Sequence, residues 1–181
     1  MASSSFVPPL FWGFRPFFSL QPVHSTREKQ LKLWRDLIIQ YHSHHRNFRM
    51  TPSSFELFRN DGIERQLSSE GIAAVIESLI KTGHAEWEDG THANLRIMWK
   101  SPDSLANEIY DWASKSALLG NVLTVYELHA GEDNQDTSFF GIDPYILRRA
   151  LAVLEIAGKC LLFNGATTEE DGVKFLAIDA P

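Results

Sequence analysis

The chain has 181 residues, of which 44% are hydrophobic and 22% are charged, and its formal net charge is -6 at pH 7. This composition predicts a folded protein of one domain or two small ones. The acidic balance argues against a protein that mainly binds phosphate backbones, because such binding uses clustered lysines and arginines. The single cysteine excludes internal disulfides and cysteine-based zinc sites, which fits a reducing compartment such as the cytosol. No apolar run reaches the roughly 18 residues of a membrane span.

Residues 6–22 (FVPPLFWGFRPFFSLQP) combine six aromatic residues and four prolines with one charge, Arg15. Because prolines fix φ and remove backbone donors, we expect neither a helix nor a central strand but an extended, partly polyproline-like arm. A segment this short cannot bury its own rings. Aromatic residues commonly anchor interfaces, which favours pockets on another protein. Packing on the chain itself is the alternative, and a targeting signal fits less well because no basic residue precedes the apolar part.

The first predicted helix runs from Thr26 to about His42, with Ser25 and Glu28 spaced as a capping box. One face carries Leu31, Trp34, Leu37, Ile38 and Tyr41. His42, His44 and His45 follow at its end, where imidazoles interact favourably with the helix dipole. No cysteine or carboxylate lies nearby in sequence to complete a metal site, so we expect no metal.

Two later helices repeat at an offset of about 75 residues, with apolar residues at i, i+3, i+4 and i+7 from Ile72 and again from Leu147. Ser68 caps the first, which is predicted over 69–82, and Asp143 with Pro144 caps the second. Each helix precedes two strand-like runs, at 84–87 and 95–99 and at 160–163 and 173–176. Each half also opens with a longer helix, the second starting at Ser101, and a shorter segment at 55–67 or 124–129.

Helix, short helix, helix and β-hairpin therefore occur twice. This order predicts an α+β fold of two tandem winged-helix domains preceded by the extended arm. We place the arm at residues 1–24, the first domain at 25–100 and the second at 101–181. Domains this small have marginal cores, so we expect them to pack together or to be supported by partners.

Winged helices often read DNA, so a tandem winged-helix nucleic-acid-binding protein is the alternative function. Lys81 is the only basic residue of the helix predicted over 69–82, which makes a poor major-groove surface. Arg148 and Arg149 are adjacent and point about 100° apart on a helix. Solubilising arginines or a partner contact explain them better than DNA does.

Enzymatic motifs are missing from the sequence. Cys160 lies in an apolar run and is expected to be buried. The acidic loop at 131–136 lacks the spacing of a calcium loop. Glycine-rich phosphate loops, nucleophile elbows and paired-histidine motifs do not occur. We therefore expect no catalytic residue, no cofactor and no enzyme.

Three segments, FRPFFSLQPVHSTREKQLKLWRDLI, TVYELHAGE and GVKF, together resemble the smallest-subunit family of the ESCRT-II endosomal sorting complex. The resemblance covers nearly the whole chain. It implies a non-catalytic scaffold that links the larger ESCRT-II subunits to an ESCRT-III subunit. The complex would sort ubiquitinated membrane cargo into multivesicular bodies and on to the vacuole or lysosome.

The resemblance also implies binding residues. The arm would dock on the two larger subunits through Pro8, Pro9, Phe11, Trp12, Phe14, Pro16, Phe17 and Phe18. Arg15 stands where the family has a proline, which leaves the stiffness of the second motif open. The second domain would bind the first helix of an ESCRT-III charged multivesicular body protein around Thr124, Leu128, Arg148 and Lys159. The protein would be cytoplasmic, would reach endosomal membranes only through the complex and would bind no nucleic acid.

Overall fold

The computed structural model describes residues 5–167 and 169–177 and divides the chain into two compact units, Met1–Trp99 and Lys100–Pro181. The helices are α1 His24–His45, α2 Ser69–Lys81, α3 Pro102–Lys115, α4 Val125–Ala130 and α5 Pro144–Ile156. The strands are β1 Arg49–Met50, β2 Arg59–Asn60, β3 Arg65–Gln66, β4 Ala85–Trp87, β5 Leu95–Ile97, β6 Val122–Thr124, β7 Cys160–Phe163 and β8 Gly172–Phe175. The predicted mixed α+β fold is confirmed.

In the first unit, α1 and α2 pack on an antiparallel sheet with the strand order β1-β5-β4. Its core is built by residues from the N-terminal segment, both helices, the sheet and the loop that joins β1 to α2. These are Phe17, Phe18, Leu31, Trp34, Leu37, Ile38, Met50, Leu57, Phe58, Leu67, Val75, Ile76, Leu79, Ala85, Leu95 and Ile97. The predicted cap of α2 is confirmed, because the Ser68 hydroxyl accepts a hydrogen bond from Gly71 N at 3.1 Å.

The predicted start of α1 is wrong. The helix begins at His24, its N-cap is Val23, and no side chain caps it. Tertiary contacts replace the capping box, because Gln30 and Arg27 bind the segment that enters the helix. The Gln30 side chain accepts from Gln21 N at 3.0 Å, and Arg27 Nε donates to the Gln21 carbonyl at 2.7 Å.

The short helix predicted in the first half is also replaced. Residues 52–63 form three short 3-10 turns, Pro52–Ser54, Glu56–Phe58 and Asp61–Ile63, beside the β2–β3 ladder. The Asn60 side chain accepts from Gly62 N at 3.1 Å and closes a tight turn there. A turn of this kind interrupts a continuous helix.

The second unit contains α3, α4 and α5 and an antiparallel sheet with the order β6-β8-β7. In both three-stranded sheets the last strand lies between the other two, and one strand of each sheet precedes the last helix of its unit while two follow it. This shared topology agrees with the predicted tandem winged-helix arrangement. Asp143 caps α5 by accepting from Tyr145 N at 2.8 Å, with Pro144 in the first turn, as the sequence predicts.

The core of the second unit lies between its helices and one face of its sheet. It comprises Leu105, Ala106, Ile109, Ala113, Val125, Leu128, Phe139, Ile142, Ile146, Leu147, Ala150, Leu151, Leu154, Cys160, Val173 and Phe175. Cys160 is buried, as predicted, and its thiol lies 3.5 Å from the Leu151 carbonyl. Burial, followed by the nearby Glu155 charge, raises the pKa of this thiol to about 11, so it stays protonated.

Candidate partner-binding surfaces

The N-terminal arm is not extended as predicted but forms two 3-10 turns, Leu10–Gly13 and Arg15–Phe18. Proline is compatible with the first turn of a helix, where its missing N–H costs nothing, and Pro16 occupies that position in the second turn. Backbone bonds close the turns, from Trp12 N to the Pro9 carbonyl at 3.0 Å and from Ser19 N to the Pro16 carbonyl at 3.1 Å. The second turn forms with Arg15 at its first position.

Phe17 and Phe18 anchor the arm to α1. They are only 5% and 3% exposed, and both rings contact the Trp34 indole, Phe17 by stacking at 4.3 Å and Phe18 edge-on at 5.5 Å. The Phe17 carbonyl accepts from Trp34 Nε1 at 3.1 Å and from Gln30 Nε2 at 2.9 Å. A partner role for these two rings stays a prediction, and it would require the arm to leave α1.

Half-buried residues hold the first turn of the arm. Trp12 Nε1 donates to the Leu57 carbonyl at 3.0 Å, and the Trp12 carbonyl accepts from Asn60 Nδ2 at 3.0 Å. The Phe11 ring meets the Phe17 ring edge-on at 5.0 Å. Pro8 and Pro9 are also half-buried. These contacts fix the backbone of the arm on the first unit.

The outer side of the arm leaves apolar side chains in solvent. Leu10 is 99% exposed, Phe14 is 62% exposed, and Pro16 is exposed beside them. A depression of about 230 Å³ lies between Phe14 and α1, where Leu33 forms part of its wall. Leu10 belongs to the first proline-aromatic motif, residues 8–11, to which the family resemblance assigns docking. Sequence analysis did not select Leu33, because it lies on α1 outside the apolar face predicted for that helix.

The four residues predicted to bind ESCRT-III all have roles inside the second unit. Thr124 forms a capping box with Glu127 at the start of α4. Leu128 is fully buried, because it lies one turn from buried Val125 on the inner face of α4, and its partner role stays a prediction. Lys159 is half-buried, with its ammonium 5.0 Å from the centre of the Tyr110 ring.

Arg148, the fourth of these residues, holds the loop between β7 and β8. Its guanidinium bonds to the Asp171 carboxylate at 2.6 Å, and the same carboxylate accepts from Gly165 N at 2.7 Å. Burial alone would raise the pKa of Asp171, but the bonds from Gly165 and Arg148 outweigh it and lower the pKa. Arg148 is therefore a surface residue fixed by an ion pair.

The outer face of the β6-β8-β7 sheet exposes apolar side chains on each of its outer strands. Val122 and Leu161 both pair with Lys174 across the sheet, and Phe163 pairs with Gly172. Val122, Leu161 and Phe163 are 60%, 46% and 48% exposed. We call this surface the sheet face. The run Cys160–Phe163 is apolar on both faces, and the sequence alone does not show which of the two faces is exposed.

The histidines at the end of α1 form no metal site. His42 is 1% exposed, its Nδ1 lies 3.0 Å from the Asn47 carbonyl, and burial lowers its pKa to about 4. His44 and His45 are exposed and pack near the Phe6 ring. Within residues 5–167 and 169–177, no group of three histidine, cysteine or carboxylate side chains could hold a metal ion.

None of the helices described is long and apolar enough to cross a membrane.

The exposed face of α2 does not resemble a DNA-reading helix. Its exposed positions include Glu70 and Glu77, whose carboxylates repel phosphate, and the uncharged Ala73. Two small α+β units with apolar side chains exposed on an arm and on a sheet are instead typical of a protein that assembles with other proteins.

A family model described as ESCRT-II complex subunit matches residues 11–143, more than half of the chain. The chain therefore belongs to the ESCRT-II complex subunit family. Among curated relatives, it is 37% identical to vacuolar protein sorting-associated protein 25 of Arabidopsis thaliana over 173 residues, covering 95% of this chain and 97% of the relative. The Homo sapiens protein of that name is 38% identical over 174 residues, covering 94% and 98%.

Solved structures agree with this family membership. The crystal structure of subunit VPS25 of the endosomal trafficking complex ESCRT-II superposes with a TM-score of 0.82 at 25% identity, covering 97% of this chain and 100% of that one. A crystal structure of ESCRT-II that contains VPS22, VPS25 and VPS36 gives 0.76 at 26% identity, with coverage of 97% and 100%. The family resemblance seen in the sequence is confirmed. The family is one of complex subunits and not of enzymes.

Proposed function

We propose that this chain is the scaffold subunit that links the two larger ESCRT-II subunits to an ESCRT-III subunit. In that role it serves the sorting of ubiquitinated membrane cargo into multivesicular bodies and on to the vacuole or lysosome. The protein acts in the cytoplasm and reaches endosomal membranes through the complex. The domain boundaries proposed from the sequence, 1–24, 25–100 and 101–181, are kept.

The observation that supports the proposal is that some residues of the arm are buried anchors while others are exposed. Phe17 and Phe18 fix it to α1, while Leu10 and Phe14 stay in solvent. A surface that is ordered before binding loses less conformational entropy when a partner docks. The solved relative complex that contains VPS22 and VPS36 supports two larger subunits as the partners.

The arm residues proposed to contact these subunits differ in their exposure. Leu10, Phe14 and Pro16 supply the contact surface, because they are exposed. Pro8, Pro9, Phe11 and Trp12 are half-buried and add contact at its edge. Phe17 and Phe18 hold the surface in place.

On the second unit we propose the sheet face as the ESCRT-III contact. Val122, Leu161 and Phe163 form an apolar strip, with Lys174 between two of them. An amphipathic helix binds such a strip by its apolar residues. Of the residues selected from the sequence, Thr124 lies on the same strand as Val122, whereas Leu128 is fully buried.

The arm is tested by co-expressing the chain with the two larger ESCRT-II subunits and purifying through a tag on one of them. Leu10→Ser with Phe14→Ser should abolish co-purification without lowering the melting temperature. Val23→Ser is the matched control, because Val23 is apolar, 59% exposed and lies just beyond the arm turns. Undiminished co-purification of the double variant would refute docking through the arm.

A further inference from the structure

A second apolar groove lies on the first unit, between α2 and β4. It has a volume of about 410 Å³ and is lined by Ser69, Ile72, Ala73, Ile76, Glu77, Ile80 and Trp87. It shares no residue with the depression beside the arm. The proposed function assigns no partner to it.

The groove exists because α2 is apolar on two adjacent faces. Val75 and Leu79 point into the core, and each is at most 1% exposed. Ile72, Ile76 and Ile80 follow at i, i+4 and i+8 and line the groove. Ile76 is 7% exposed and also belongs to the core, whereas Ile80 is 37% exposed. This stripe therefore contributes to the core through Ile76 and extends past it to Ile80, which leaves apolar surface in solvent.

Trp87 forms the wall opposite α2. It lies on the same face of β4 as buried Ala85, because alternate residues of a strand share a face. Its indole stacks on the His92 imidazole with centroids 4.7 Å apart and 15° between the planes. The stacking fixes the wall, so the groove is formed before any partner arrives.

One rim of the groove is acidic. Glu77 lines it, and Glu70 lies two turns earlier on the same face of α2, separated by exposed Ala73. Neither carboxylate forms an ion pair within the part of the chain that the structure describes. Lys81, the cation of this helix, does not line the groove; it lines a neighbouring depression, where Glu77 forms part of the shared wall. Seven residues of helix place the two carboxylates about 10 Å apart along the axis.

We propose that this groove binds an amphipathic helix of a partner protein that carries two basic residues seven positions apart beside an apolar stripe. Helices dock in apolar grooves through anchors at i, i+3, i+4 and i+7, and a seven-residue spacing sets Lys or Arg opposite Glu70 and Glu77. Charge complementarity selects this partner over an acidic one. A second copy of the chain is disfavoured, because a two-fold contact through this face brings the two acidic rims together.

The test uses the full chain and a labelled, capped, alanine-based helical peptide. The peptide has leucines at i, i+3, i+4 and i+7 and two lysines seven positions apart, and a second peptide has glutamates in place of the lysines. Fluorescence anisotropy should show binding of the lysine peptide. Glu70→Lys with Glu77→Lys should weaken this binding at least about tenfold and should create binding of the glutamate peptide.

The matched control is Asp111→Lys with Glu132→Lys, which changes the net charge equally at exposed positions of the second unit. It should leave both peptides unaffected. Ala73→Gln should block the groove without changing the rim charge, and circular dichroism verifies the fold of each variant. No binding of the lysine peptide, equal loss in the control, or binding unaffected by Ala73→Gln would each overturn the proposal. A chain that sediments as a dimer, and as a monomer after Ala73→Gln, would make the groove a self-interface and would also overturn it.

Discussion

The Phe17 ring stacks on the Trp34 indole with centroids 4.3 Å apart and 12° between the planes. Through this contact a proline-aromatic arm becomes part of the hydrophobic core of the first unit. The contact holds the backbone of the arm in place, and the arm presents its outer side chains to solvent. Its core residues and its surface residues should therefore respond to substitution in opposite ways.

Phe17→Ala should destabilise the chain strongly. It removes a ring that is 5% exposed and leaves a cavity against Trp34, which costs about 3 to 5 kcal/mol for a buried phenylalanine. Urea unfolding followed by circular dichroism measures the loss. Phe14→Ala is the control, because Phe14 is 62% exposed and should cost less than about 1 kcal/mol. Equal losses in the two variants would show that Phe17 is not a core residue.

Gln30→Ala should loosen the arm. The Gln30 amide joins it at three points, donating to the Phe17 and Ser19 carbonyls and accepting from Gln21 N. The Phe17 carbonyl keeps its bond from Trp34 Nε1, but Gln21 N–H loses its partner, and a polar group left without a partner costs about 1 to 3 kcal/mol. Hydrogen exchange of the Gln21 amide and of the Trp34 indole should accelerate. The neighbouring exposed Lys29→Ala should leave both rates unchanged, and unchanged rates in Gln30→Ala would contradict this anchoring role.

The free energy of unfolding should decrease as the pH is lowered from 6.5 to about 4, the two pKa values of His42. Burial lowers its pKa from 6.5 to about 4 in the folded chain, so the unfolded chain binds the proton more tightly in this interval. The stabilisation from His42 is complete above pH 6.5 and is lost as the pH falls towards 4, by roughly 3 kcal/mol in total.

The check is urea unfolding of the native chain and of His42→Phe at several pH values. Phenylalanine keeps the stacking on Phe55 and does not titrate. The variant should show a shallower decline over this interval. A smaller slope should remain, because burial and the Arg35 charge also lower the pKa of His84. Parallel pH profiles would contradict the assignment to His42.

Asp171→Asn should free the loop between β7 and β8. The carboxylate joins Arg148 to the Gly165 amide, and removing its charge should cost about 1 to 3 kcal/mol. Because the pKa of Asp171 is lowered in the folded chain, the same stabilisation is present above its unfolded pKa and is lost as the pH falls through the folded value. Exchange of the Gly165 amide should accelerate, whereas in exposed Asp136→Asn it should not.

Features with local causes could be predicted from the sequence. The caps at Ser68 and Asp143 and the strand Cys160–Phe163 depend on neighbouring residues and lie where the pattern placed them. The arm was mispredicted because its shape depends on Trp34 and Gln30, which are distant in sequence. The start of α1, predicted at Thr26 and observed at His24, differs for the same reason.

The candidate binding residues were harder to predict than the fold. Periodicity identifies a buried face, but it does not say which of two apolar faces stays in solvent. Leu128, which the sequence indicates as a binding residue, is fully buried, whereas Leu161, in an apolar strand, is 46% exposed. In the arm, the turns decide that Phe14 points outward and Phe17 inward.

A bridging assay tests the scaffold role most directly. The two larger ESCRT-II subunits are immobilised, and retention of the ESCRT-III subunit is measured with and without this chain. The account predicts retention only when the chain is present, and loss of retention with either Leu10→Ser and Phe14→Ser or Leu161→Ser and Phe163→Ser. The arm variant should be lost from the matrix together with the ESCRT-III subunit, whereas the sheet-face variant should itself remain bound. Equal retention of the ESCRT-III subunit in the absence of the chain would contradict the account.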